Sequence, residues 1–307
     1  MYDLTIIGGG PGGVAAGVYA ARKRLKTLLV TPEWGGQSNV SEDVQNWIGT
    51  THISGAQLAA NLKTHLEEYK ADIVDIREGE KVVAIEKTEK GFSVRTDSGN
   101  NFETKTVLIT AGSTRRKLLI PGADTFDNKG VTYCASCDGP LFGGQDLVVI
   151  GGGNAGFETA LQLLAYAKSV TLLQRGTDFR ADPVTVEKAL AHPKMRAITN
   201  TDLVEVKGDK FVTGILYKDL SNNIIKEVSA TGIFVEIGLI PSTEFVKNLV
   251  ELNERNQIVI NPRTQQTNTA GIWAAGDCTD VLYHQNNIAA GDAIRALEDI
   301  YMHVQKQ

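Results

Sequence analysis

An α/β fold made of two doubly wound units, the second inserted into the first, is what three features of this 307-residue sequence predict. A glycine-rich turn lies between an apolar run and a helical stretch, and this arrangement occurs twice. Each copy leads into another apolar run, giving the strand, turn, helix, strand order of a parallel unit. Stretches that alternate apolar and polar residues lie further along each unit, and these read as antiparallel layers.

The first copy begins with the apolar run Asp3 to Ile7 and turns at GGGPGG, where Gly8, Gly10 and Gly13 satisfy GxGxxG. A helical stretch, Val14 to Lys23, and the apolar run Thr27 to Val30 follow. Glycines allow the tight turn and a close backbone approach, and the helix N-terminus receives a pyrophosphate, so this unit is expected to hold a dinucleotide. Ala84 to Thr110 then alternates around turns at Lys90-Gly91 and Ser98-Gly99-Asn100, as a small antiparallel layer would.

The second copy runs from Asp146 to Ile150 into GGGNAG, with Gly151, Gly153 and Gly156 in the same spacing. A helix to about Ala165 and a strand at Ser169 to Leu173 complete it, and Leu203 to Phe234 alternates like the first layer. Crossing points are expected near Gly112 to Thr114 and Ile240 to Ser242, with the tail from Thr243 returning to the first domain. That divides the chain into residues 1–113 with 242–307, and residues 114–241. Two Rossmann-like dinucleotide-binding domains imply two bound nucleotides, one more than a simple dehydrogenase needs.

The strand tip after each glycine turn is where ribose chemistry is read. Glu33, in TPEWGGQ, stands about 20 residues past the first turn and can accept from a ribose hydroxyl. After the second turn, LLQRGTDFRAD has no acid at the tip but carries Arg175 and Arg180. Arginine suits a 2′-phosphate, so the sequence leans toward NADP over NAD; the alternative is that both arginines only decorate a loop.

Composition excludes several classes. With 42% hydrophobic and 22% charged residues, and no apolar run near the ~20 residues of a membrane span, a cytoplasmic globular protein is expected, with no membrane partner. The opening MYDLTIIGGG is too short an apolar run for a signal peptide. A net charge of −5 gives no argument for nucleic acid, and Arg22 to Arg24 and Arg115 to Lys117 read as solvated surface. Three cysteines are too few for a disulfide framework. Two of them, Cys134 and Cys137 in YCASCDGP, could form half a zinc site, a structural disulfide or a redox couple.

Taken in order, GGGPGG, GGQ at Gly35 to Gln37, CxxCDG at Cys134 to Gly139, GGGNAG and AAGDCTD from Ala274 resemble the low-molecular-weight thioredoxin reductases. They also resemble the flavoprotein core of the alkyl hydroperoxide reductase F subunit. The resemblance covers the whole chain and implies a class II pyridine nucleotide-disulfide oxidoreductase. It further implies a homodimer in which residues 1–113 and 242–307 hold FAD, while 114–241 bind NADPH and carry the cysteine pair. A rotation between the domains, hinged at the crossing segments, would let one flavin meet two partners in turn.

Carried over position by position, Gly8, Gly10, Gly13, Gly36, Gln37, Asn46, Asp277 and Gln285 resemble FAD contacts. Gly151, Gly153, Asn154, Gly156, Arg175 and Arg180 resemble nucleotide contacts. Cys137 matches the cysteine that faces the flavin, Cys134 the one that exchanges with a protein substrate, and Asp138 the general acid, a role that suits a carboxyl if burial raises its pKa. A structural zinc needs four ligands and the remaining cysteine, Cys278, lies far along the chain, so no metal is expected. A structural disulfide closing so small a loop would constrain little chain entropy, which leaves redox exchange.

Departures from the family pattern bear on the cofactor and the partner. Where NADPH-dependent members carry adjacent arginines, this chain has Arg175 and Gly176 after Gln174; the acid of the NADH-preferring core is absent too, so NADH is not excluded. TAG at Thr110 to Gly112 replaces the usual ATG, His284 stands where a permanent cation is common, and Phe157 either crowds the nucleotide or packs in the core. Peroxiredoxin-linked members carry an extra N-terminal module, whereas this chain starts at the FAD strand, so its electrons are expected to pass to a separate thioredoxin or thioredoxin-like protein. Alternatives are an NADH-dependent reductase of a peroxiredoxin-linked, glutaredoxin-like carrier, a ferredoxin- or flavodoxin-fed disulfide reductase, and a flavin-binding redox sensor without turnover.

Overall fold

The computed structural model describes residues 1–40, 44, 46–133 and 135–306, with residues 40, 136 and 137 described by their backbone alone. The chain forms two compact units, Met1–Thr114 with Ile240–Gln307, and Arg115–Leu239.

The first unit opens with strand β1 (Tyr2–Gly9), helix α1 (Pro11–Arg22), β2 (Thr27–Trp34), α2 (Gly55–Lys70) and β3 (Val74–Glu78). Then come β4 (Val82–Thr88), β5 (Gly91–Thr96) and β6 (Asn101–Ile109), with turns where the sequence places them. The chain crosses on β7 (Ser113–Arg115) and later returns on β16 (Leu239–Pro241), a strand that pairs with β7.

Between the crossings lie β8 (Val131–Thr132), α3 (Ala135–Asp138), β9 (Asp146–Ile150), α4 (Asn154–Leu163), β10 (Ser169–Leu173), α5 (Pro183–Leu190) and β11 (Met195–Ile198). An antiparallel layer, β12 (Thr201–Gly208), β13 (Val212–Asp219) and β14 (Ile224–Ser229), precedes β15 (Gly232–Val235). After β16 the chain adds β17 (Ile272–Ala274) and the C-terminal helix α6 (Asn286–Val304) to the first unit.

In the first unit the strands run in the order β3-β2-β1-β6-β5-β4, with β17 also paired to β6. Pairings among β1, β2, β3, β6 and β17 are parallel, and β4 and β5 join antiparallel. In the second unit the order β11-β10-β9-β15-β8 is parallel throughout.

Side chains on neighbouring strand positions point to opposite faces, and both faces are covered. Leu4, Ile6, Leu29 and Leu108 pack under α1 and α6, while Ile7, Leu28, Val30 and Ile109 pack on the other side with Ile258 and Ile272. Likewise Val148 and Ile150 meet the antiparallel layer through Val206 and Ile215, and Leu147 and Val149 meet α4 through Phe157 and Leu163.

Phe157 is therefore a core residue. It is fully buried and meets Phe179 edge to face with ring centroids 4.9 Å apart, so it does not crowd a ligand. Truncation of so large a buried ring costs about 3–5 kcal/mol in general, and Phe157→Ala should lower the urea midpoint of the second unit accordingly. A loss below about 1 kcal/mol would take Phe157 out of the core.

Candidate functional site

Each unit builds a site at the C-terminal edge of its parallel strands, and the glycine turn is its centre. Gly8 adopts φ +117° and Gly151 φ +119°, values that L side chains rarely accept. A Cβ on Gly13 would overlap the Gly8 carbonyl oxygen, and a Cβ on Gly156 would overlap that of Gly151. Helix and strand thus approach more closely than any other residue permits.

On the outer side the backbone is bare. An added Cβ on Gly10 would meet only Gly36 Cα, at 3.9 Å, and one on Gly153 would meet nothing within 4 Å. These residues are the N-caps of α1 and α4, and neither helix has a side-chain cap on its first N–H groups. Uncapped helix N-termini behind a bare glycine turn fit a pyrophosphate, so the chain's own geometry is compatible with a dinucleotide in each unit.

Around the first turn the structure gathers several residues named from the sequence. Glu33 lies at the C-terminal end of β2 with its side chain exposed, and Gly35 N–H donates to the Gly9 carbonyl at 3.0 Å. Gln37 Nε2 donates to Ser113 Oγ at 2.6 Å, and Asn46 Nδ2 donates to Gln285 Oε1 at 2.9 Å. The altered TAG triplet has a local reason: Thr110 Oγ1 donates to the Ile7 carbonyl at 2.9 Å, tying β6 to the start of the turn.

Asp277 follows β17 and is half-buried; burial pushes its carboxyl above the usual range, opposed by the charge of His284. His284 Nε2 is buried and has no hydrogen-bond partner among the described residues. A buried orphan donor or acceptor next to a buried carboxyl is unusual in a finished core, and it suits a site built for a polar ligand such as a flavin.

In the second unit the arginines and the glycine turn are linked by a loop. Arg175 and Arg180 are exposed, Arg180 N–H donates to the Gly152 carbonyl at 2.8 Å, and Asn154 Oδ1 accepts from Asp182 N–H at 2.8 Å. The Asn154 side-chain oxygen is thus engaged in holding the loop.

Two residues here escape a reading of the sequence. Glu236, just past β15, accepts from Thr159 Oγ1 at 3.0 Å; burial pushes its carboxyl up, while the Arg115 charge pulls it down. Arg115 is half-buried with an unpartnered buried Nη1 among the described residues, which corrects the expectation of solvated surface for this one residue, while Arg116 and Lys117 are exposed. The only available signal was an acid ending an apolar strand, GIFVE.

Cys134 lies outside the described residues. The backbone of Cys137 belongs to α3, which ends at Asp138, a half-buried residue whose Oδ2 accepts a short hydrogen bond from Thr132 Oγ1. Gly139 is wedged against α4 and the turn after it: a Cβ there would overlap the Tyr166 hydroxyl and lie 3.0 Å from Leu163 Cδ2. Gly139, the last residue of the CxxCDG motif, is therefore seated on the helix that begins in the second glycine turn.

Residues 2–304 match the family described as pyridine nucleotide-disulphide oxidoreductase. The chain belongs to that family. Among similar proteins, the F subunit of alkyl hydroperoxide reductase in Staphylococcus epidermidis is 41% identical over 295 residues, covering 96% of this chain and 57% of the relative. Its Escherichia coli counterpart is 38% identical over 296 residues, again 57% of its length, so this chain spans little more than half of these relatives. Thioredoxin reductase of Lactococcus lactis superposes with a TM-score of 0.85 at 34% identity over 100% of both chains. Thioredoxin reductase of T. acidophilum does so with 0.81 at 35% identity over 98% of each. The family and the fold class expected from the sequence are borne out.

In this pyridine nucleotide-disulphide oxidoreductase the third cysteine is sealed away. Cys278 is fully buried, its Sγ donates to the Ala275 carbonyl at 3.5 Å, and burial pushes its thiol up to about 12. Such a thiol adds stability that is whole below the ordinary thiol pKa and is lost as pH rises toward about 12. With Cys134 and Cys137 both changed to serine, the native protein should resist a thiol reagent up to about pH 9 and react only after denaturation. Rapid labelling of the native double variant would contradict the burial.

Proposed function

We propose that the chain is an FAD-dependent disulfide reductase that takes electrons from NADPH and passes them through the Cys134–Cys137 disulfide to thioredoxin or a thioredoxin-like protein. The observation that supports this reading most is the repetition of one glycine cradle in two units, with Gly139 of the CxxCDG motif packed on the helix of the second. The bound flavin and nicotinamide would supply the two-electron chemistry that no side chain here possesses.

The chain's own residues then have definite tasks. Gly8, Gly10, Gly13 and the start of α1 hold one pyrophosphate; Glu33 accepts from a ribose hydroxyl, and Gly36, Gln37, Asn46, Asp277 and Gln285 hold the rest of FAD. Gly151, Gly153, Asn154, Gly156 and the start of α4 hold the second pyrophosphate, with Arg175 and Arg180 directed to a 2′-phosphate.

Two electrons break the Cys134–Cys137 bond, with Cys137 facing the flavin, and Asp138, oriented by Thr132, supplies the proton that one thiolate takes up. Cys134 thiolate attacks the disulfide of the partner, forming a mixed disulfide and releasing a partner thiolate. Cys137 then attacks Cys134 of that mixed disulfide, which restores the intramolecular bond and frees the reduced partner. The reading includes a homodimer in the cytoplasm, with β7 and β16 as the hinge.

Identity to the alkyl hydroperoxide reductases supports a second reading in which the acceptor is the small carrier of a peroxiredoxin system and the donor is NADH. Coupled turnover with a thioredoxin separates the two. In that assay Cys134→Ser and Cys137→Ser should each lower turnover at least about a hundredfold while the nicotinamide nucleotide still bleaches the flavin. Asp138→Asn should lower it about ten- to a hundredfold. Undiminished turnover in either cysteine variant would sink the proposal.

A further inference from the structure

The loop after β10 is latched to the second glycine turn through one side-chain amide. Gly152 N–H donates to Gln174 Oε1 at 3.0 Å, and Gln174 Nε2 donates to the Asp178 carbonyl at 3.0 Å. Together with the bonds from Arg180 N–H to the Gly152 carbonyl and from Asp182 N–H to Asn154 Oδ1, this fixes residues 174–182 against the turn. Small residues make room for the amide: a Cβ on Gly152 would lie 2.9 Å from Gln174 Cδ, and one on Gly176 would lie 3.3 Å from its Nε2.

Gln174 stands 22 residues past Gly152 and directly follows β10. Dinucleotide folds place at this point the group that reads the adenosine 2′ position, an acid for a free hydroxyl or a cation for a phosphate. Gln174 is a neutral amide, and its Oε1 keeps a second lone pair that can accept from a ribose hydroxyl while still bound to Gly152 N–H.

Arg175 and Arg180 are exposed and make no ion pair among the described residues. The loop acids are turned to other tasks. Asp178 Oδ2 accepts from Thr177 Oγ1 at 2.8 Å, and Asp182 Oδ1 caps α5 by accepting from Val184 N–H at 2.8 Å. A hydroxyl therefore finds an acceptor, a phosphate finds cations, and position 174 itself holds no acid to repel a phosphate. Strong discrimination usually requires such a repulsive element.

We infer that Gln174 makes the second unit a site for both NADPH and NADH, with NADPH ahead by no more than about thirtyfold. This rests on the proposed reading of that unit as the nucleotide domain. An acid at position 174 would supply the missing repulsion while keeping an acceptor for Gly152 N–H.

Calorimetric titration of the FAD-loaded protein with NADP⁺ and, separately, NAD⁺ at fixed ionic strength tests it. Both should bind the unaltered protein, with dissociation constants within about thirtyfold. Gln174→Glu should weaken NADP⁺ at least about tenfold without weakening NAD⁺, shifting the ratio toward NAD⁺ by that factor, whereas Arg175→Ala should weaken NADP⁺ alone. Discrimination clearly beyond about thirtyfold in the unaltered protein, or an unchanged ratio in folded Gln174→Glu, would overturn the inference but leave the nucleotide domain standing. Failure to bind either nucleotide would overturn both. The ratio in the unaltered protein decides the matter even where the variant does not fold.

Discussion

Contact between the start of a helix and the end of a strand is the constraint on which both sites depend. Gly13 lies so close to the Gly8 carbonyl, and Gly156 to that of Gly151, that even one methyl group would separate them. The approach aims each helix N-terminus along its sheet edge, and neither α1 nor α4 has a side-chain cap on its first N–H groups. Because strand order reverses beside β9 and beside β1, each turn opens on a crevice between neighbouring strand ends. The polar residues collected there, Gln37 and Asp277 in one unit, Gln174 and Glu236 in the other, follow from where those strands stop.

Both edges also carry a half-buried carboxyl with a basic side chain acting on it. Desolvation pushes Asp277 and Glu236 up, while His284 and Arg115 respectively act in the opposite direction. Raised carboxyls add stability that is whole at low pH and is lost as pH rises through their folded values. At neutral pH the fold therefore tolerates a cost at each edge. Such tolerance is commonest where a charge or a proton is wanted for binding or chemistry.

Much of this was legible in the residues themselves. Glycine spacing exposed both turns because the steric demand falls on particular positions, and alternation exposed the antiparallel layers because a half-covered sheet has period two. Other features depended on tertiary packing. Phe157 could have lined a ligand or the core until Phe179 was seen against it. Gln174 is read from structure because its meaning lies in a rotamer that reaches Gly152 and Asp178 at once. Arg115 sits in a basic triplet that looks like surface, and its buried nitrogen is read from the structure alone.

A nicotinamide nucleotide, a flavin and a cysteine pair acting as one relay would store a fixed number of electrons. Anaerobic titration of the FAD-loaded protein with NADPH, followed through the flavin absorbance, measures that number. Full reduction should consume twice as much NADPH as there is flavin, since the disulfide of Cys134 and Cys137 takes a second electron pair, and Cys134→Ser should consume only an equal amount. Equal consumption by both proteins would mean that the cysteines lie outside the electron path, and the relay would be refuted.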